Sequence, residues 1–167
     1  MTFMNLRSIM LATLFALSAA ACGGKSKGGG GGGGGGGTGP DEPAPGPLAA
    51  GQWEGMDHEA RADFMGKAVL PAMAAEFKAF DAVEFAEFDC KTCHGKGADD
   101  HSFEMPNADL PQLTVEMIMN PDADHKAVTE FMMTKVKPGM AKLLGKPEYG
   151  QDNPTGFGCA ACHVIPG

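Results

Sequence analysis

A chain of 167 residues with 25 Gly and 12 Pro does not fold along its whole length, and the ten-residue run Gly28 to Gly37 has no side chain to bury. The 13 Lys and Arg against 21 Asp and Glu leave a net charge of −8, which opposes a nucleic-acid backbone as partner. Setting aside residues 1–21 as a targeting segment and 22–52 as a linker leaves roughly 115 residues, 53–167, for one small domain. With one Trp and 7% aromatic residues, a core of this size calls for a non-protein staple.

In chain order, Met1 to Arg7 is a short positive region and Ser8 to Ala21 an apolar stretch ending Ser18-Ala19-Ala20-Ala21 before Cys22. That is the layout of a secretion signal, too short for a comfortable membrane span. The segment resembles a bacterial lipoprotein signal, with Ala19 where Leu is usual. The resemblance implies cleavage before Cys22 and a lipid on its thiol. An ordinary secreted protein with a stray Cys is the plainer alternative. A lipid anchor would place the domain outside the cytoplasm on a bacterial membrane, on its periplasmic face. Gly23 after the lipidated Cys leans toward the outer membrane in a diderm cell. The stretch that follows would be a spacer, stiffened distally by Pro40, Pro43, Pro45 and Pro47.

Two 18-residue windows, 57–74 and 124–141, share nine identities at an offset of 67, in the pattern D-H-x-A-x-x-x-F-M-x-x-x-V-x-P-x-M-A. Met65, Val69, Met73 and Phe77 recur every four residues in the first window and the residues after it, as do Met132, Val136, Met140 and Leu144 in the second. These are amphipathic helical stripes. Asp57 and Asp124 are expected to cap the two helices. Pro71 and Pro138 interrupt them, and a kink is expected in each. A short helix is expected over Thr114 to Asn120, stopped by Pro121. No segment alternates in the manner of a strand, so the expected fold is all-α with much loop.

Behind each helix stands the same five-residue pattern, Cys90-Lys91-Thr92-Cys93-His94 and Cys159-Ala160-Ala161-Cys162-His163. C-x-x-C-H is the attachment pattern for c-type haem. Thiols three residues apart on a helical turn reach the two vinyl groups of one porphyrin edge, and the adjacent imidazole meets the iron. Zinc held by the two C-x-x-C pairs would leave the following His unexplained. A thioredoxin-like pair would need a βαβ setting, and simple disulfides are the remaining alternative. The expectation is two haem c groups, in duplicated helix–loop–C-x-x-C-H units over about 57–106 and 124–167.

The globular part, about Asp57 to His163, resembles a small dihaem c-type cytochrome. The order of Met-bearing helix, turn and C-x-x-C-H is similar to the haem units of the cytochrome subunit of photosynthetic reaction centres. This chain has two units where that family has four, and a Pro inside each helix. The resemblance implies that the haem lies along the helix, with a helix Met on one face of the iron and the motif His on the other. His94 and His163 are then the proximal ligands. Met73 and Met140, 17 and 19 residues before the first Cys of their motifs, are the expected distal ligands, ahead of Met65/Met132 and His58/His125. Met105-Pro106 would suit the single-haem class I plan at the first site alone.

The expected function is electron transfer by two covalently held haems on a membrane-tethered domain, exchanging electrons with redox partner proteins, without catalysis of its own. The alternative is a dihaem peroxidase-like oxidoreductase with one open iron, for which His58, His101 and His125 would be the acid–base candidates. A haem-based sensor is a third class, for which no output domain is present.

Overall fold

Two helices of like construction pack together, and most of the buried side chains lie on them. The structure, a computed structural model, describes residues 43–166; the lipobox, Cys22 and the Gly run lie outside the described residues. Helix α1 is the short Gln52–Gly55. Helix α2 has three consecutive parts, His58–Phe64, a π-helical turn Met65–Val69, and Leu70–Phe80. Helix α3 is Cys90–His94, continued by a 3₁₀ turn Gly95–Ala98. Helix α4 is Val115–Met119. Helix α5 repeats the three-part layout, with Lys126–Phe131, a π-helical turn Met132–Val136, and Lys137–Leu143. A 3₁₀ turn, Cys159–Ala161, carries the second motif. Among the described residues there is no strand, only isolated bridges, and no helix long and apolar enough to cross a membrane.

The expected kinks take a definite form. Pro71 offers no N–H to the helix, and the turn before it widens so that the Leu70 N–H reaches back to the carbonyl of Met65. Lys137, before Pro138, bonds Met132 in the same way. The stripes explain why this form suits both helices. Side chains repeated every four residues drift by about 40° per step on a helix of 3.6 residues per turn. A turn holding an extra residue takes up that drift, and Val69, Met73 and Phe77 all end up buried.

Phe64 and Phe131 occupy matching positions in the two windows, and both are buried. Phe77 is the hub of the aromatic packing. Its ring centroid lies 4.9 Å from Phe85, 4.8 Å from Phe88 and 5.0 Å from Phe131. The helices approach closely where Gly139 faces Met73, since a Cβ on Gly139 would lie 3.0 Å from Met73 Cε. Packing begins before α1: Leu48 lies against the core and its N–H donates to the carbonyl of Leu143 at 2.9 Å.

Asp57 caps α2 as expected, accepting from the Ala60 N–H at 2.8 Å. Asp124 does not cap α5. The helix starts two residues later, at Lys126, and Asp122 takes the polar role, its Oδ1 accepting from the N–H groups of Asp124 and His125. A carboxylate directly after Pro121 closes that turn first. The short helix falls where expected, with the Thr114 hydroxyl accepting from the Met117 N–H.

Candidate haem-binding site

The first motif is set by its own cap. Asp89 Oδ1 accepts from the Lys91 N–H at 2.8 Å and Thr92 Oγ1 accepts from the Asp89 N–H at 3.2 Å, a reciprocal capping box that starts α3 at Cys90. The helix ends at Gly95, at φ +52. A side chain there would suffer the left-handed backbone and would also strike Asp109 Oδ2 and Asn107 Nδ2, 2.6 and 3.0 Å from an added Cβ. The second motif has no such cap. Gly158 precedes it, with no side-chain hydrogen bond, and Cys159–Ala161 forms only a 3₁₀ turn.

The chain between the motifs brings them together. Asn107 Nδ2 donates to the carbonyl of Cys93 at 2.9 Å. The Asn107 backbone N–H donates to the carbonyl of Cys162 at 2.9 Å. The Leu113 N–H bonds the carbonyl of Val164, and Asp109 Oδ2 accepts from the Lys96 N–H. All four motif cysteines are free thiols. Cys93 and Cys162 are half-buried, and each thiol is raised to about 11, by burial first, with the neighbouring Cys162 and Cys90 adding to it at Cys93 and Cys159 at Cys162. Cys90 and Cys93 of the first motif and Cys162 of the second line one cavity.

The motifs meet at a cavity of about 790 Å³, within the roughly 300–1,000 Å³ of sites for cofactor-sized ligands. Its wall includes Cys90, Cys93 and His94 of the first motif and Cys162 of the second. Thioethers of Met65, Met73 and Met140 line it with Val69, Phe77 and Leu144. Met73 is also buried in the core, 5% exposed, so it belongs to the packing and to the cavity wall at once. Met132 is half-buried against the core and is not part of this wall.

The two motif histidines are oriented differently. The His163 Nδ1–H donates to the carbonyl of Pro111 at 2.9 Å, which leaves Nε2 as the free ring nitrogen. His94 Nδ1 is buried without a hydrogen-bond partner. Burial lowers the pKa of His94, opposed in part by the backbone of Phe103, so the neutral ring, the form that ligates a metal, is favoured. The rings of His58, His94 and His101 surround Phe103 at centroid distances of 6.0, 5.3 and 5.9 Å. His101 and Phe103 both have positive φ, +58 and +49, a region uncommon for such side chains. His58 lines the cavity. His125, its counterpart, is exposed and held at 2.7 Å by Asp122.

A haem fits what is present here: paired thiols, the His94 imidazole, thioethers and an apolar wall around one cavity. Two cationic residues in that wall were not singled out by the sequence reading. Arg61 lies over Trp53 at 5.1 Å and donates from Nε to the Trp53 carbonyl. Lys146 lines the cavity and pairs with Glu54, whose carboxyl it holds below the usual range. Arg61 falls one turn after His58 on the helix, a signal present in the sequence; Lys146 carries none. No protein-family model, curated protein or solved structure matches the chain.

Proposed function

We propose that the chain is a dihaem c-type cytochrome that carries electrons, held to a membrane through Cys22. The observation that carries this reading is the convergence of two C-x-x-C-H motifs, 69 residues apart in sequence, on one cavity walled by thioethers. Bound there, haem iron supplies one-electron redox chemistry. Cys90, Cys93, Cys159 and Cys162 hold the two groups by thioether bonds, and His94 and His163 ligate the irons. Met73 and Met140 are the favoured distal ligands. Six-coordinate iron leaves no position for substrate, which suits a carrier and not a peroxidase. Arg61 and Lys146 supply positive charge for the propionates. The duplicated windows make each helix and its following motif one haem unit.

At the first site a second ligand reading has its own observation. His58 shares the cavity wall with His94, while His125 is drawn off by Asp122. Ligation by two histidines at the first iron and by His and Met at the second would give the second the higher potential.

The test is the intact mass and absorption spectrum of the purified full chain, with its membrane fraction assayed in parallel. Two covalent haem additions and low-spin spectra in both redox states support the proposal. Zinc without haem, or high-spin iron that reacts with peroxide, overturns it. Cys22→Ala is expected to release haem-bearing protein into the soluble fraction; a wild type already soluble removes the anchor from the proposal.

A further inference from the structure

Asn107 is the one buried polar side chain among the described residues, 8% exposed. Burying an amide is costly unless its hydrogen bonds are made, and here they are. Nδ2 donates to Cys93, Oδ1 accepts from the Asp109 N–H at 2.9 Å, and the backbone N–H donates to Cys162. Both carbonyl acceptors belong to motif cysteines, one from each motif. The same short segment makes further bonds on each side. Asp109 reaches the Lys96 N–H beside the first motif, and the Pro111 carbonyl accepts from His163 in the second. Gly95 leaves room for Asn107 and Asp109 to pack directly against the end of α3. A loop needed only to connect α3 to α4 would not place its buried amide between two cysteines.

We propose that Asn107 is a positioning residue that fixes the two C-x-x-C-H motifs side by side, so that two haems held by them would be electronically coupled. This rests on the dihaem reading above. It goes beyond it by assigning one residue to the haem–haem geometry. The thioether edge of each porphyrin follows its cysteines, and Cys90, Cys93 and Cys162 share one cavity wall. A pair of haems held by these cysteines would take up two electrons in two one-electron steps, with no bond made or broken. The second step is made harder by the charge of the first.

The experiment uses the full-length holoprotein reduced stepwise with dithionite in the presence of mediators. Circular dichroism in the Soret region reads the mutual orientation of the two haems. The wild type is expected to give two separated steps and a bisignate Soret signal. Asn107→Ala is expected to keep two covalent haems while the signal loses most of its amplitude and the two steps draw together. Asn107→Asp keeps the Oδ1 acceptor and the backbone donor, and sets a carboxylate oxygen against the Cys93 carbonyl where the amide donated. It is expected to give a loss at least as large as Asn107→Ala, and it decides the matter if Asn107→Ala does not accumulate. Wild-type signal and step separation retained in Asn107→Asp, or in a folded Asn107→Ala, overturn the assignment. So does a wild type with two haems and no bisignate signal. A wild type without covalent haem overturns the dihaem reading itself, a distinguishable result.

Discussion

The two C-x-x-C-H motifs have the same five-residue pattern and are held in different ways. The first is a capped helical turn whose histidine is half-buried, with its buried Nδ1 unpartnered. The second is an uncapped 3₁₀ turn whose histidine is anchored to the Pro111 carbonyl. The helices in front of them match in layout down to the π-turn before each Pro, yet their starts differ, with His58 on the cavity and His125 tied to Asp122. Shared sequence within the windows accompanies shared helix interiors. What stabilises each motif comes from neighbours outside the windows.

The strongest way to break this comparison is to remove one attachment site at a time. Replacing Cys90 and Cys93 together by Ser is expected to halve covalent haem and lower stability sharply, because three residues of that motif wall the cavity. Replacing Cys159 and Cys162 is expected to halve haem with a smaller loss of stability, since of these two cysteines Cys162 alone lines it. Intact mass and thermal melting of both variants measure this. Equal melting would show that the motifs support the fold alike.

Next in size is the pair Met73 and Met140. Met73 is buried against Phe77 and Gly139, so Met73→Ala is expected to cost about 2–5 kcal/mol in denaturant unfolding. Met140 is half-buried and should cost less. Each variant is expected to remove half of the weak charge-transfer absorbance that marks a Met–iron bond. If both keep it while Met65→Ala or Met132→Ala removes it, the ligand register is wrong by two helical turns. Full absorbance loss in Met140→Ala alone, with the first site unaffected by Met73→Ala, would support His58 at the first iron.

The interior of each long helix was legible in the sequence because its evidence is local. The four-residue stripe of Val69, Met73 and Phe77 and the Pro two residues after Val69 both act within a few turns, and the drift of such a stripe is a signal for the π-turn itself. The cap expected at Asp124 does not form because Asp122 takes the N–H groups of Asp124 and His125, a competition between two nearby carboxylates that the turn decides. Asn107 carried no signal: its meaning depends on Cys162, 55 residues away in sequence. Lys146 carried none for a related reason, since the cavity that makes it relevant is assembled from both halves of the domain.

The buried thiols give a smaller effect, visible before haem is attached. Cys93 and Cys162 are raised to about 11, so at neutral pH both are protonated and slow to react, while exposed Cys90 is open to reagent. Alkylation of the apo-protein, followed by mass spectrometry, is expected to label Cys90 before Cys93, with Cys93 and Cys162 accelerating as pH rises toward 11. The sign for stability follows from the same shift. A thiol whose folded pKa lies above its ordinary 9.0 favours the folded state below pH 9, and that contribution is lost between about pH 9 and 11, up to about 3 kcal/mol per thiol. Denaturant midpoints of the apo-protein that are flat across that window would mean the thiols are open to water.

The smallest expected effect isolates the difference in caps. Asp89 and Gly158 hold matching positions at an offset of 69. Gly158 has no room for a cap, because an added Cβ would come 2.9 Å from Tyr149 Cβ. The second motif therefore forms its turn without a side chain's help, and the Pro111 carbonyl and Val164 contacts hold it from the other end. Asp89→Ala removes the first motif's cap and should cost about 1 kcal/mol, whereas Asp89→Gly, which gives the first motif the second's residue, should cost only a few tenths. Hydrogen exchange at Lys91 and Thr92 measures the local opening. Equal protection in both variants and the wild type would show that the bond from Asn107 to Cys93, and not the capping box, holds α3 in place.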